Sequence, residues 1–209
     1  MSKALRFNTF RFFMIFIFLL FSFGCTHYYV PKQHPVAPGL VPDFTGNNAI
    51  AVINAHETGK MTLIGSQMAH KWMGDMRLWT DTAVGVLQNE LQIRRIKVTG
   101  DASKELKLAV THANVYWGFA SIRCIITLEV DTGEGYHKTF EGNNSSPWTL
   151  YRACDGAVTR AVEAMLNDEE ILRYLKYSKG LSRENAPAAT IHPDIGAVSP
   201  LPHPTLQTE

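Results

Sequence analysis

Two runs of alternating apolar residues constrain this chain more than anything else in it. Residues 104–116 place Leu106, Leu108 and Val110 on one face, with Lys107 and Thr111 on the other. Residues 120–132 repeat the pattern with Ile122, Cys124, Ile126, Leu128 and Val130. A period of two is the signature of a strand with one buried face. Only Trp117-Gly118-Phe119 separates the runs, a glycine-containing turn of hairpin length. Folding there sets Leu108 opposite Leu128, Val110 opposite Ile126 and His112 opposite Cys124, so the apolar sets share one side. Gly133-Glu134-Gly135 then turns the chain into a third strand over residues 136–141, giving a meander.

The flanking sequence supplies partners for that sheet. Residues 49–55 form a short β-branched run that suits a buried strand, and residues 61–66 a further short strand. A helix starts at Gly74-Asp75, with Asp75 as its cap. Met76, Trp79, Ala83, Val86, Leu87 and Leu91 give it one apolar face. Gly85 in its middle points to close packing there, because glycine costs about 1 kcal/mol against alanine in a helix. Residues 96–99 read as a strand after the helix. Ser146-Pro147 opens a second helix, with proline at its first position. Leu150, Cys154, Val158, Ala161 and Met165 line its buried face, and residues 168–177 continue with Ile171, Leu172 and Leu175. The fold class is α+β, a two-layer sandwich whose antiparallel or mixed sheet carries two helices on one face.

The N-terminal stretch bears on location. Lys3, Arg6 and Arg11 precede an uncharged run over residues 12–24 that ends at Cys25. Basic end, apolar core and small residue before a cut make the layout of a secretory signal. The run has 13 residues, short of the roughly 20 that a spanning helix needs. Leu20-Phe21-Ser22-Phe23-Gly24-Cys25 resembles the lipobox of bacterial lipoproteins, although Ser22 and Phe23 depart from its usual residues. The resemblance implies that Cys25 is acylated and becomes the new N-terminus. Thr26 after it implies sorting to the outer membrane, facing the periplasm. The competing reading is plain secretion, with Cys25 a spare thiol or removed.

Four segments follow: a signal at 1–24, a flexible tether at 25–48, a domain at 49–177 and a Pro-rich disordered tail at 178–209. The tether carries four prolines, and His27, Tyr28, Tyr29 and His34 read as solvated linker residues rather than metal ligands or contacts. Removing the signal takes three of 20 basic residues and none of 19 acidic ones, leaving 17 against 19, or −2. No basic stripe is available for nucleic acid.

The order strand, helix, meander, helix on such a chain resembles the YajG family of bacterial lipoproteins. It is more distantly similar to LptE and to the periplasmic domain of CsgG-type lipoproteins. The likeness spans residues 49–177, in the hairpin over 106–130, Thr139-Phe140-Glu141 leading to Asn143-Asn144-Ser145-Ser146, and Asn167-Asp168-Glu169-Glu170-Ile171-Leu172. It implies a sheet covered on one face by two helices and a non-enzymatic envelope role, structural, assembly or partner-binding. An accessory in lipid or lipopolysaccharide transport or export is the alternative, and would have a groove between sheet and helices.

Motifs for a nucleophile, a metal or a phosphate cradle are absent from the sequence. His56-Glu57 reads as a surface pair. No catalytic residue, cofactor or metal is expected; a His112, Cys124 and Cys154 set lacks a fourth ligand. Cys124 and Cys154 lie on facing apolar surfaces of sheet and helix, so they form either a disulfide or two buried thiols. Trp72, Trp79 and Trp148 read as core. Tyr116, Trp117 and Phe119 put aromatics at a turn, where small polar residues are the norm. Either they are exposed, for a protein partner's pocket or a membrane interface, or they fold back as core. The expected partners are the membrane, through the lipid, and an envelope protein.

Overall fold

The computed structural model describes residues 24–46, 48–147 and 149–177. Residues 1–23 of the expected leader, the expected tail over 178–209 and the core placement of Trp148 lie outside the described residues. In order, the elements are β1 (Thr26–Tyr28), β2 (Ala51–Asn54), β3 (Met61–Gln67), β4 (His70–Asp75), α1 (Met76–Ile93), β5 (Glu105–Trp117), β6 (Ile122–Thr132), β7 (His137–Ser146), α2 (Leu150–Leu166) and α3 (Glu169–Lys176).

The α+β sandwich forms as the sequence implies. A mixed four-stranded sheet runs β2-β5-β6-β7, with β2 parallel to β5 and the other pairs antiparallel. Helices α1 and α2 lie side by side on one face, α1 over β5 and α2 over β6 and β7. Asp75 caps α1 by accepting from Arg77 N at 3.0 Å. All six residues of the expected α1 face are buried, as are all five of the α2 face. The expected strand over 96–99 reduces to a single parallel bridge, Ile50 to Val98.

A second sheet, β1-β4-β3, goes beyond the sequence reading. β4 was not expected because its residues, His-Lys-Trp-Met-Gly-Asp, show no period of two. The sheet packs at the far end of β5, where a Cβ on Gly65 would sit 2.7 Å from the Trp117 ring.

The hairpin register differs from expectation. Leu108 pairs with Val130, Val110 with Leu128, and His112 with Thr127. Two features cause the difference. The loop occupies residues 118–121, closed by Gly118 N donating to Ser121 O at 2.8 Å, and is longer than three residues. Thr111 is an extra residue in β5, a bulge after which Ala113, Val115 and Trp117 face inward and His112, Asn114 and Tyr116 outward. The bulge's backbone groups find other partners. Val110 N donates to Thr80 Oγ1 at 2.8 Å, and His56 Nε2 lies 3.0 Å from Val110 O. His56 therefore braces the bulge.

The meander's last strand is also longer than expected. It runs through Ser146, which pairs with Ile122, so Ser146 does not cap α2. Helix α2 begins at Leu150, after Thr149, whose Oγ1 meets Ser146 Oγ at 2.8 Å. At the other end, α3 is capped by Asp168, which accepts from Ile171 N at 3.0 Å. The carbonyls of Tyr174 and Tyr177 receive the buried Lys104 ammonium, a cation at a helix C-terminus. Burial lowers the pKa of Lys104 against a smaller opposing pull from Glu134.

Sheet and α2 meet backbone to backbone at Gly142. A Cβ there would lie 2.0 Å from Ala157 O and 2.7 Å from Ala161 N. Gly142→Ala should push α2 off β7 and lower the unfolding free energy by about 1–3 kcal/mol, the usual cost of overpacking. Gly100→Ala, with nothing within 4 Å of the new Cβ, should change it by about 0.5 kcal/mol or less. Urea unfolding of the two variants checks this; equal midpoints would mean that the close approach is not real.

Candidate functional site

Residues 24–46 do not form a flexible tether. They strap the outer surface of the helix layer. The strap begins as β1 beside β4, with Thr26 opposite Lys71 and Tyr28 opposite Met73. It continues across α1, where Trp79 Nε1 donates to Tyr29 O at 3.2 Å and Thr82 Oγ1 to Pro31 O at 2.9 Å. The Gln33 amide covers Gly85, so the expected close packing at that glycine is to the strap. Val36 N reaches Glu90 Oε1 at 3.2 Å, and Asn167 Nδ2 donates to Leu40 O at 2.8 Å. Tyr29, Val36, Val41 and Phe44 are buried. Apolar residues spaced irregularly between prolines carry no period, so sequence alone could not reveal that they pack.

One carboxylate holds the strap to α2. Asp155, 5% exposed, accepts from the Tyr29 hydroxyl and from Lys32 N at 2.8 Å, and His34 Nε2 lies 3.1 Å from its second oxygen. Burial raises the Tyr29 hydroxyl pKa above its ordinary value, and the bond to Asp155 adds to the rise, so the phenol stays protonated as donor. His27 stacks on Trp72 with centroids 4.4 Å apart and meets His70, Nε2 to Nδ1, at 2.9 Å. Three of the four residues read as solvated thus make structural contacts, while Tyr28 is exposed.

The strap starts at Cys25, which is exposed. The Cys25 carbonyl accepts from Lys71 N at 2.9 Å. A Cβ on Gly24 would meet Ala69 O at 2.3 Å, so the chain enters the fold against the β3–β4 turn.

The aromatic turn divides between its two readings. Phe119 is 105% exposed and Tyr116 54%. Trp117 turns inward, half-buried against Gly65 and the core. Of the tryptophans read as core, Trp79 is fully buried and Trp72 half-buried under His27.

Cys124 and Cys154 come together as free thiols, both 0% exposed. A hydrogen bond with Cys124, then burial, raises the Cys154 pKa far above that of an ordinary thiol, so it stays protonated. His112 is exposed on the opposite face of the sheet and opposite Thr127, which removes it from the cysteines. Among the described residues no group of three or more His, Cys, Asp or Glu side chains is placed to hold a metal ion. Nor, among them, is any helix long and apolar enough to cross a membrane.

A cavity of about 630 Å³ opens between the strap and the C-terminal end of α1. Val36, Val41, Phe44 and Ile93 give it apolar walls, with Glu90 and Arg94 paired on one side. The Arg94 guanidinium stacks over the Phe44 ring at 5.1 Å. It is a different groove from one between sheet and helices, because the strap forms one of its walls.

No family model matches the chain, and no curated protein matches it.

Asp155→Ala removes the acceptor that the Tyr29 hydroxyl and Lys32 N–H share, leaving the buried hydroxyl only Tyr151 O at 3.3 Å, and should cost about 1–3 kcal/mol. Limited proteolysis should then cut at Lys32 while the domain over 49–177 stays intact; unchanged resistance would show that the strap does not depend on this carboxylate. The thiols give a separate expectation. Alkylating reagent should fail to modify Cys124 and Cys154 in the folded protein and modify both after unfolding without reductant. No uptake by the unreduced, unfolded chain would establish a disulfide.

Proposed function

We propose that this chain is an outer-membrane lipoprotein, acylated at Cys25 and held on the periplasmic face, with a non-catalytic structural, assembly or partner-binding role. The observation that carries the reading is Cys25 itself. It is exposed where the expected signal ends, one residue before the first strand. An acyl chain there would leave the fold undisturbed, and the Cys25 side chain has no competing structural task. The similarity to YajG-type lipoproteins belongs to the same proposal. The contact surface for an envelope protein would be the outer edge of β7, which among the described residues pairs with no strand but β6 on its other side.

The 630 Å³ cavity favours a second reading, an accessory that handles lipid or lipopolysaccharide. Its size and mostly apolar walls suit part of an acyl chain, with Arg94 at the polar end.

Cells grown with an alkyne-tagged fatty acid should yield labelled protein in the outer-membrane fraction. Cys25→Ser should abolish the label and release the chain from that fraction; label that survives the substitution would overturn the assignment. An organic extract of the unacylated Cys25→Ser chain separates the two roles. Stoichiometric lipid selects the transport accessory, and lipid-free protein selects the structural one.

A further inference from the structure

The anchor and both long hairpin tips lie at one end of the molecule. β3 starts beside the first residue of α1, where Met76 N donates to Lys60 O at 3.2 Å. β5 passes the next turn of that helix, at the Val110 to Thr80 bond. Both strands then run outward until Gly65 meets the Trp117 ring. Met68 follows Gly65 by three residues and Phe119 follows Trp117 by two, so both turns project beyond the same contact. Cys25 joins them, through its bond with Lys71 and the approach of Gly24 to Ala69.

Met68 and Phe119 are the most exposed large apolar side chains of the described residues, at 99% and 105%. Neither contributes to the core. Met68 also has φ 53°, a left-handed turn position where glycine or asparagine is the unstrained choice. A bulky apolar residue kept there despite strain points to a task outside folding.

Charge at this end is one-sided. Residues 24–30, 61–74, 112–128 and 142–147, whose ends meet there, contain no aspartate or glutamate. Exposed Lys71 and Arg123 flank the two tips. Asp155, in the second turn of α2, is buried beneath Tyr29 and the Lys32 backbone.

We propose that this end is a membrane-contacting face: Met68 and Phe119 dip into the leaflet, and Lys71 and Arg123 meet its anionic phospholipid headgroups. Apolar side chains at two tips with cations behind them match the interfacial zone, where buried apolar area and attraction to anionic lipid add. The leaflet's identity rests on the reading of Cys25 as the acylated residue. Since the fold begins at the next residue, the lipid would hold this face against the surface.

The test places a photoreactive phenylalanine analogue at Met68, at Phe119, or at Glu134 in the turn at the opposite end of β6, in full-length protein in living cells. Acylation is read by mass on the same samples. Lipid adducts at 68 and 119, several-fold above those at 134, are expected, and Lys71→Glu with Arg123→Glu should lower their yield. Lipid adducts on unacylated protein would uphold the face and refute the Cys25 assignment. Acylated protein with equal lipid yields at all three positions, or with protein adducts at the tips instead, would overturn the face and leave acylation standing. Unacylated protein without tip adducts would refute both.

Discussion

The extra residue at Thr111 is the constraint on which the rest of the architecture depends. β6 keeps one apolar phase along its whole length, from Ile122 to Val130. β5 does not; its apolar residues fall at 106, 108 and 110, then at 113, 115 and 117. In an unbroken ladder, half of β5 would bury His112, Asn114 and Tyr116 and expose Val115 and Trp117. Doubling one residue against Thr127 returns the apolar set to the core. The outer half of the hairpin then supports the small sheet through Trp117, and through that sheet positions β1 and Cys25. Thr80 and His56 occupy the backbone groups that the bulge takes out of the ladder, so the irregularity leaves no orphaned amide at Val110.

Much of this was legible in the sequence, down to both helix faces and the Asp75 cap. The phase change at Thr111 was written in the spacing as well. Extrapolating the first three apolar residues across the whole run hides it. What was not legible left no local mark. β1 is a three-residue strand that exists because it pairs with the distant β4. β4 pairs with its neighbour β3 across Met68-Ala69, a turn without the glycine or asparagine that would announce it. Ser146-Pro147 looked like a helix start because serine and proline are good first residues. Pairing with Ile122 kept Ser146 in the sheet instead.

Asp155 shows the same limit for the site. A carboxylate between Cys154 and Gly156, on a helix whose neighbours are apolar, already signals a buried charge that needs donors. Nothing in the sequence says that those donors are Tyr29, Lys32 and His34, more than 120 residues earlier. The polar hub is also what distinguishes a strap from a tether, since prolines and scattered apolar residues are common to both. Packing of Tyr29, Val36, Val41 and Phe44 then follows from where the hub holds the chain.

Burying Asp155 has an electrostatic consequence beyond stability. Helix α2 opens at the end of the molecule where the hairpins turn, because β7 delivers it there. A carboxylate near the start of that helix would ordinarily put negative potential on this end. Here the charge is withdrawn from solvent and spread over three donors from the strap, so Lys71 and Arg123 stand without an opposing surface charge in the converging segments. The contact that turns residues 24–46 into part of the fold thus also sets the sign of the field around Cys25.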